Sequence, residues 1–442
     1  MVNPSVIPGT SCKCGVGNLT PASIQYQHTS NVLTRRNRMS QRQSLQLSIS
    51  VLAVLGVLAG SAYGQTPVPT QRVSPAQPFQ GPPGARALAL GGAFIGVADD
   101  ATAAESNPAG LTILTRPELS LHVLSQSSDP QDCPTCSTDS NVRPDFASYV
   151  QPFSRAVLSV YYSAGLDTTR FFDGSDDPEV FLQTEDQTLR RFGIAAAFRP
   201  VSMLSIGASA SLNRMSSDTR LNLVFPARFT NADGSTSVGL VEYNDRLTVD
   251  DSSITYALGL LLNPTGRVSL GAVYKSAGKF DGEDALSGRA CTNCTVTQLR
   301  GLTFQEFPQP NTRVETPALW GAGLSVRPFA RALFALDYST QKSRAAVYST
   351  EEQELRAWRI GGEYVFAVGN SSYFIPVRAG YAREKDSDFN TSDFLREEAT
   401  TYSVGTGFVF GSNQVDIAFS RGYTITTNER LRQVVVSGIH RF

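Results

Sequence analysis

The chain has 442 residues, 41% of them hydrophobic and 17% charged, with 38 Lys and Arg set against 39 Asp and Glu. That length holds one large domain or two to three ordinary ones. A formal net charge of −1 points to neither a polyanion partner nor a basic tail, so nucleic acid is not expected as a ligand. Mean hydropathy is slightly negative, which suits a soluble protein and equally a transmembrane barrel, whose polar lumen dilutes the average.

Residues 1–38 read as an upstream extension, because residues 39–64 alone have the proportions of a signal peptide beginning at Met39. Arg35, Arg36, Arg38 and Arg42 form its basic flank, Leu45 to Ala59 its apolar run, and Ala62-Tyr63-Gly64 a small-x-small cleavage site before Gln65. The competing reading, a single membrane anchor, needs roughly 20 apolar residues, and this run is shorter. Residues 65–83 form a Pro/Gln-rich leader. Since no other apolar run reaches spanning length, the chain either crosses a membrane as a closed barrel or is secreted.

Residues 84–115 are rich in small side chains, with Gly91, Gly92 and Gly96, and lack strict alternation. They break at Asn107-Pro108-Ala109-Gly110, a turn signal. This stretch is expected to fold as a compact plug inside whatever residues 116–442 build.

From Arg116 onward the chain alternates with period two. Leu204, Ile206, Ala208, Ala210 and Leu212 oppose Ser205, Gly207, Ser209, Ser211 and Asn213. Trp358, Ile360, Tyr364 and Phe366 oppose Arg359, Gly361 and Glu363 in the same way. This is the strand period with one apolar and one polar face. Fourteen such segments are expected: 117–127, 144–152, 154–165, 188–199, 201–214, 246–263, 266–277, 312–327, 330–343, 353–368, 373–384, 398–411, 413–424 and 430–442. Most have the length of a tilted bilayer-spanning strand, longer than the usual strand of a soluble sandwich. Short turns such as Pro152-Phe153-Ser154 and Gly411-Ser412 alternate with long polar links, the longest being 215–245 and 278–311. Short on one side and long on the other is the pattern of periplasmic turns and outer loops. The expected fold is therefore all-β, a transmembrane antiparallel barrel of about 14 strands with the N-terminal hatch in its lumen, in a bacterial outer membrane. Its lipid-facing surface would meet outer-membrane lipid and lipopolysaccharide. The C-terminal Phe442, closing the last strand, resembles the signal read by the outer-membrane assembly machinery, although His440 stands where an aromatic is more usual.

The motifs Gly84-Ala85-Arg86-Ala87, Gly91-Gly92-Ala93-Phe94, Val97-Ala98-Asp99-Asp100-Ala101 and Asn107-Pro108-Ala109-Gly110-Leu111 resemble the FadL/TodX family of outer-membrane transporters for hydrophobic compounds. So do Glu315-Thr316-Pro317 through Pro328, Ala335 to Ser339, Trp358 to Tyr364 and Val377 to Tyr381. The resemblance implies passive uptake of a hydrophobic small molecule or fatty acid, which enters from outside, rests beside the hatch and leaves sideways through the wall. Burial at roughly 0.8 kcal/mol per CH₂ would carry such a ligand across the polar surface layer. Related barrels share the plug motif, so a PorV-like accessory barrel that docks secreted or surface proteins is the alternative.

Several residues are candidates for the site. Asn107, Pro108, Ala109 and Gly110 either line the ligand path or merely end the plug. Phe94, Ile95 and Val97 either line a pocket or pack the plug on the wall. In the long outer links, Phe225, Phe229, Phe304 and Phe307 either capture an amphipathic ligand or pack a lid. Asp337, Arg359, Glu363, Arg378 and Asp416 fall on the polar face and are expected to form an ion-pair network holding the hatch. Alternatively, Arg359 or Arg378 takes a ligand carboxylate. Cys133-Pro134-Thr135-Cys136 and Cys291-Thr292-Asn293-Cys294 suit local disulfides first, a cross-loop staple second and a zinc site third. No cofactor or metal is expected. Only His122 and His440 remain after the leader, and no nucleophile elbow or P-loop lysine motif occurs, so no enzyme is expected.

Overall fold

The structure is a computed structural model that describes residues 71–73, 81–130, 139–173, 180–230, 235–307, 312–344, 352–369, 373–386, 398–424 and 429–442. The signal peptide, most of the leader and the Cys133–Cys136 link lie outside the described residues.

Among the described residues, fourteen antiparallel strands make the wall. In chain order they are β1 (Glu118–Pro130), β2 (Asp139–Pro152), β3 (Ala156–Asp173), β4 (Val180–Val201), β5 (Leu204–Thr230) and β6 (Thr236–Thr265). Strand β7 runs in two pieces, Val268–Lys275 and Gly278–Thr292, and so does β8, Thr312–Thr316 and Ala318–Phe329. Then come β9 (Ala332–Arg344), β10 (Glu352–Ala367), β11 (Tyr373–Asp386), β12 (Glu398–Phe410), β13 (Asn413–Thr424) and β14 (Glu429–Arg441). Each pairs with the next, and β14 returns to β1 with Ser437 opposite His122, which closes the cylinder. Two three-residue strands, Gln71–Val73 and Gln305–Phe307, pair on the outer pieces of β8 and β7 and extend the same sheet there.

Alternation sets the two faces. Ile206, Leu212, Trp358, Ile360, Tyr402 and Val404 are exposed on the outside, while Ser205, Ser209, Asn213 and Arg359 are buried inside. Two groups of aromatic residues flank this apolar band, as membrane-spanning barrels require. At the short-turn end Tyr373 stacks on Phe408 at 5.6 Å, and Phe442 meets Tyr149 at 6.5 Å. Toward the tall end are Tyr274–Trp320 at 4.4 Å, Tyr338–Trp358 at 4.7 Å and Tyr381–Tyr402 at 5.4 Å.

The tall end corrects the expected loops. Residues 215–245 are not one link: β5 and β6 pair without a break from Leu204/Leu262 to Thr230/Thr236. Likewise 278–311 holds the outer piece of β7, a short helix α3 (Val296–Arg300) and the strand at Gln305. Above the apolar band no lipid faces these strands, which pack in part on a cluster of Val224, Leu240 and Leu299, so nothing enforces the period of two that marks their lower part.

Inside the wall, residues 81–115 form the hatch. It comprises α1 (Ala85–Ala89), a turn with Gly91 and Gly92 at φ 67° and 79°, α2 (Ala103–Ser106) and a 3-10 turn (Pro108–Ile113). The left-handed turn needs residues without a Cβ. The main apolar core joins hatch residues Leu90, Phe94, Val97 and Leu111 to Phe146, Val150, Val157 and Tyr161 of the wall.

Candidate functional site

The hatch is seated on glycines. A Cβ added at Gly207, Gly259, Gly271 or Gly323 would fall under 3.0 Å from hatch atoms between Ile95 and Ala109. One added at Gly361, Gly380 or Gly405 would fall as near to Ala89, Leu90 or Gly91. Several of these glycines face each other across the ladder, Gly207 with Gly259, Gly271 with Gly323 and Gly361 with Gly380. Their absent side chains let the hatch backbone lie directly on β5–β8 and β10–β12.

Wall side chains then satisfy the hatch backbone, which has no regular ladder of its own. Asp337 Oδ2 accepts from both Phe94 N–H and Ile95 N–H at 2.6 Å. Ser403 Oγ accepts from Gly91 N–H at 3.0 Å and donates to the Ala89 carbonyl at 3.2 Å. Ser437 Oγ accepts from Ala85 N–H at 2.8 Å, and Ser325 Oγ donates to the Gly96 carbonyl at 3.0 Å.

A chain of charges runs through the same contact. Arg327 reaches Asp99 at 2.8 Å; Asp99 also binds Arg86, whose Nε donates to Glu363 at 3.0 Å. Glu363 pairs with Arg378 at 2.6 Å, and Arg378 with Asp416 at 2.8 Å. Gln414 donates to Asp416 at 2.6 Å and accepts from Arg441 at 3.2 Å. Arg441 pairs with Glu118 at 2.8 Å, and Glu118 Oε1 accepts from Ala101 N–H of the hatch at 2.9 Å. Burial alone would lower the Arg86 pKa, but Asp99 and Glu363 hold it well above its ordinary value. Of the five charges expected here, Glu363, Arg378 and Asp416 share this chain. Asp337 instead holds the hatch backbone. Arg359 stands apart, paired with Glu384 and donating to Ser339 Oγ at 2.7 Å. Arg86, Asp99, Glu118, Arg327, Gln414 and Arg441 were not foreseen, because only strand registry brings such distant positions together.

Above the hatch lies a cavity of about 340 Å³, within the size range of small-molecule sites. Leu88, Ile95 and Glu105 of the hatch reach it from below, and Leu189, Met215 and Val273 from the wall. Glu105 pairs with Arg191 at 2.8 Å. Burial raises the Glu105 pKa, but Arg191 and Lys275 outweigh that and hold it below its ordinary value. The cavity therefore combines apolar surface with a fixed ion pair.

At one side the cavity meets a defect in the wall. Strands β2 and β3 pair only from Phe146/Ser163 to Pro152/Val157. Toward the tall end their ladder stops. Pro144 cannot donate, β2 shifts register opposite His122/Val123, and β3 shifts between Ala164 and Leu166. Arg143 Nη1 bridges the gap, donating to the Asp167 carbonyl at 2.7 Å. Arg143, Asp145, Ala164 and Gly165 around the gap all line the cavity.

The other candidates land as follows. Ile95 lines the cavity, whereas Phe94 and Val97 are wholly buried in the core between hatch and wall. The expected ligand path along Asn107, Pro108, Ala109 and Gly110 is corrected: all four are buried away from the cavity. Asn107 instead caps the 3-10 turn by accepting from Ala109 N–H at 3.3 Å and donates to the Ile95 and Leu260 carbonyls at 3.0 and 3.2 Å. The outer phenylalanines are corrected too. Phe225 and Phe307 are buried, at 2% and 8% exposure, and Phe304 lies over the Arg289 guanidinium at 4.1 Å. Phe229 packs toward Gly239, and none of the four reaches the cavity. Cys291 and Cys294 form a disulfide, packed with Cys291 against Val224, Leu240 and Leu299. His122 is buried against Phe146 with no hydrogen-bond partner among the described residues, and His440 contacts Asn413 and Phe442.

No protein-family model matches the chain, and no curated protein does. Solved structures do. The CymD monoaromatic hydrocarbon channel is 18% identical with a TM-score of 0.56, over 83% of this chain and 99% of that one. A FadL homologue of Pseudomonas aeruginosa is 16% identical with a TM-score of 0.58, over 86% and 100%. The Ralstonia pickettii toluene transporter TbuX is 16% identical with a TM-score of 0.54, over 83% and 99%. Likeness at this level of identity shows the fold alone: a closed antiparallel β-barrel with an N-terminal hatch, similar to that of the FadL/TodX channels.

Proposed function

We propose that the protein passes hydrophobic or amphipathic small molecules across an outer membrane, with release sideways through the gap between β2 and β3. The observation that carries this reading is the cavity's shape. Its floor is a hatch tied to the wall by close glycine contacts and charge pairs, while its flank is a wall whose ladder has stopped. A straight route toward the short-turn end would have to break the charge chain and the Asp337 bonds. A lateral route has to displace only Arg143 and local side chains. Release into lipid also leaves the ligand's apolar surface buried throughout. The known ligands of the similar channels, monoaromatic hydrocarbons and toluene, agree with this class. The tall end buries Val224, Leu240 and Leu299 in a cluster of its own, which supports a channel over a docking barrel.

The test is a reversible staple. Continuing the register one residue past its last pair, Phe146/Ser163, would set Asp145 opposite Ala164, so the pair Asp145→Cys/Ala164→Cys is designed to zip the gap when oxidised. Cells carrying the stapled barrel should lose uptake of radiolabelled toluene and of radiolabelled oleate, and regain it on reduction. Undiminished uptake with the staple formed would dismiss lateral release. If the native barrel raises the uptake of neither probe, the transport reading fails.

A further inference from the structure

A second seam crosses the wall, between β6 and β7. Their ladder runs regularly from Leu262/Leu270 to Ala257/Lys275, and again from Val249/Gly282 outward, but the two halves differ in register by one residue. Between them, residues 250–255 and 277–281 have no backbone ladder. Side chains stand in: Asp251 Oδ2 accepts from Asp281 N–H at 2.8 Å, and Ser253 Oγ from Lys279 N–H at 3.0 Å. Tyr256 N–H goes to Ser276 Oγ at 3.0 Å instead of to a carbonyl. Gly278 N–H leaves this seam altogether and donates to Thr316 Oγ1 at 3.0 Å.

The cause is legible in β7 and β8. Lys275 lines the cavity, and Phe280 is buried in a cluster facing the same lumen, although an odd separation should put them on opposite faces. One extra residue must therefore bulge between them. In β8, Pro317 sits at the same level and supplies no N–H.

The seam has the two properties of a portal. First, the cavity reaches into it. Thr255 and Lys275 line the cavity, and so do Tyr256 and Ser276, whose alternation places them on the outward side. Second, it lies at a defined level of the membrane. Leu260, Leu258, Tyr256 and Ile254 are exposed apolar positions in sequence along β6, and the next outward positions are Ser252 and Asp250. The rings of Tyr256, Tyr274 and Trp320 adjoin one another beside it. The seam thus straddles the edge of the lipid-facing band, where unmade backbone bonds can be met by water or side chains. Toward the tall end, Leu189, Met215, Leu247, Val249, Phe280 and Val314 pack together and hinder a route straight down the lumen on that side.

We propose that the β6/β7 seam is a second lateral portal, through which an apolar small molecule dissolved near the outer membrane surface loads the cavity. Loading and release then use different walls. This rests on the transport reading above and names the way in. The ligand class follows from the level of the seam: a compound that already partitions into the outer leaflet, carrying no more polarity than its rim can hydrate.

A Cβ added at Gly278 would lie 3.2 Å from Thr255 Cγ2, close to the spacing between a disulfide sulfur and the partner's Cβ, and 2.7 Å from Thr316 Oγ1, which has to rotate aside. The pair Thr255→Cys/Gly278→Cys should therefore staple the seam. The full barrel is placed in lipid bilayers with a photoreactive aryl diazirine as probe. Labelling of the cavity peptide bearing Met215 is read against the outer-face peptide bearing Ile360. The β2/β3 gap is passive and admits a lipid-dissolved probe as readily as it releases one, so the two staples are compared singly and together. With the Asp145/Ala164 staple alone oxidised, cavity labelling should persist through the seam. Adding the oxidised Thr255/Gly278 staple should abolish it and leave outer-face labelling intact, and reduction should restore it. Loss of cavity labelling with the Asp145/Ala164 staple alone, or labelling that survives both oxidised staples, overturns the second portal. No cavity labelling in the unstapled barrel overturns both portals.

Discussion

The hatch meets the wall in two different ways. On the β5–β8 and β10–β12 side it lies backbone to backbone on glycines. On the β2–β4 side it meets large side chains, with Leu111 and Val97 in one core with Phe146, Val150, Val157 and Tyr161. Backbone contact at van der Waals distance leaves no freedom for sliding, because interiors are close-packed and any shift collides with fixed atoms. Side-chain contact can yield by rotamer change. On the second side the β2/β3 ladder stops at Phe146/Ser163, directly beside the cavity. On the first side the β6/β7 ladder runs intact past the Gly259 seat and stops only beyond Ala257/Lys275. The difference teaches where the hatch can move: the glycine seats anchor it, and the side-chain side is a flank that can part.

The sharpest way to break this comparison is to put a side chain into the anchor. Gly380→Val would thrust its Cβ into the Gly91 and Leu90 backbone. Overpacking costs about 1–3 kcal/mol where neighbours can shift and more where they are backbone. We expect the barrel to assemble and remain heat-modifiable on gels while residues 85–110 become cleavable by protease. A protected hatch in that variant would show that the glycine contacts are dispensable.

Arg378→Ala tests the charge chain rather than the glycine seat, because it strands Glu363 and Asp416 at buried positions. Removing one partner of a buried pair costs about 3–5 kcal/mol. Urea unfolding should move to lower denaturant, and the double variant Arg378→Met/Asp416→Leu should recover part of the loss. Equal loss in both would mean that this charge chain does not act as a unit.

The mildest expected effect is a pH dependence of the hatch. Burial pushes the Asp100 carboxyl from 3.8 up to about 6; Arg86 pulls against it, and Glu118 and Asp99 add to the rise. The folded hatch thus keeps a proton that the released chain gives up. That stabilisation is complete below about pH 3.8 and is lost as pH rises through 6. Its full size is on the order of 3 kcal/mol. Protease access to the hatch should rise between pH 4 and pH 7. Asp100→Asn should flatten that slope, since an amide oxygen can still accept from Thr102 N–H, now at 3.0 Å. A slope unchanged in the variant would assign the dependence to another group.

Much of the architecture was legible before any coordinates. A membrane imposes a period of two on every strand it contacts, so the faces of Leu204–Asn213 and Trp358–Phe366 could be read residue by residue. The small-residue stretch before them could be read as a plug, because it lacked that period. The tall β5/β6 hairpin could not, since no lipid faces it to write the pattern and its apolar residues pack locally on α3. The site was legible only in part. Charges on polar faces announced Glu363, Arg378 and Asp416, but their partners Arg86 and Asp99 sit in the hatch, where no periodicity says which way a side chain points.

What the chain alone determined is therefore the one-dimensional part: strand spacing, inside against outside, and the identity of the plug. Tertiary structure decided the rest: that Gly361 faces Gly380 under Leu90, that Asn107 caps the 3-10 turn, and that Phe225 and Phe307 are buried. The physical reason is that periodicity records only what each residue's own strand requires. Seats, charge chains and seams depend on register between strands far apart in sequence, and a one-residue bulge resets it.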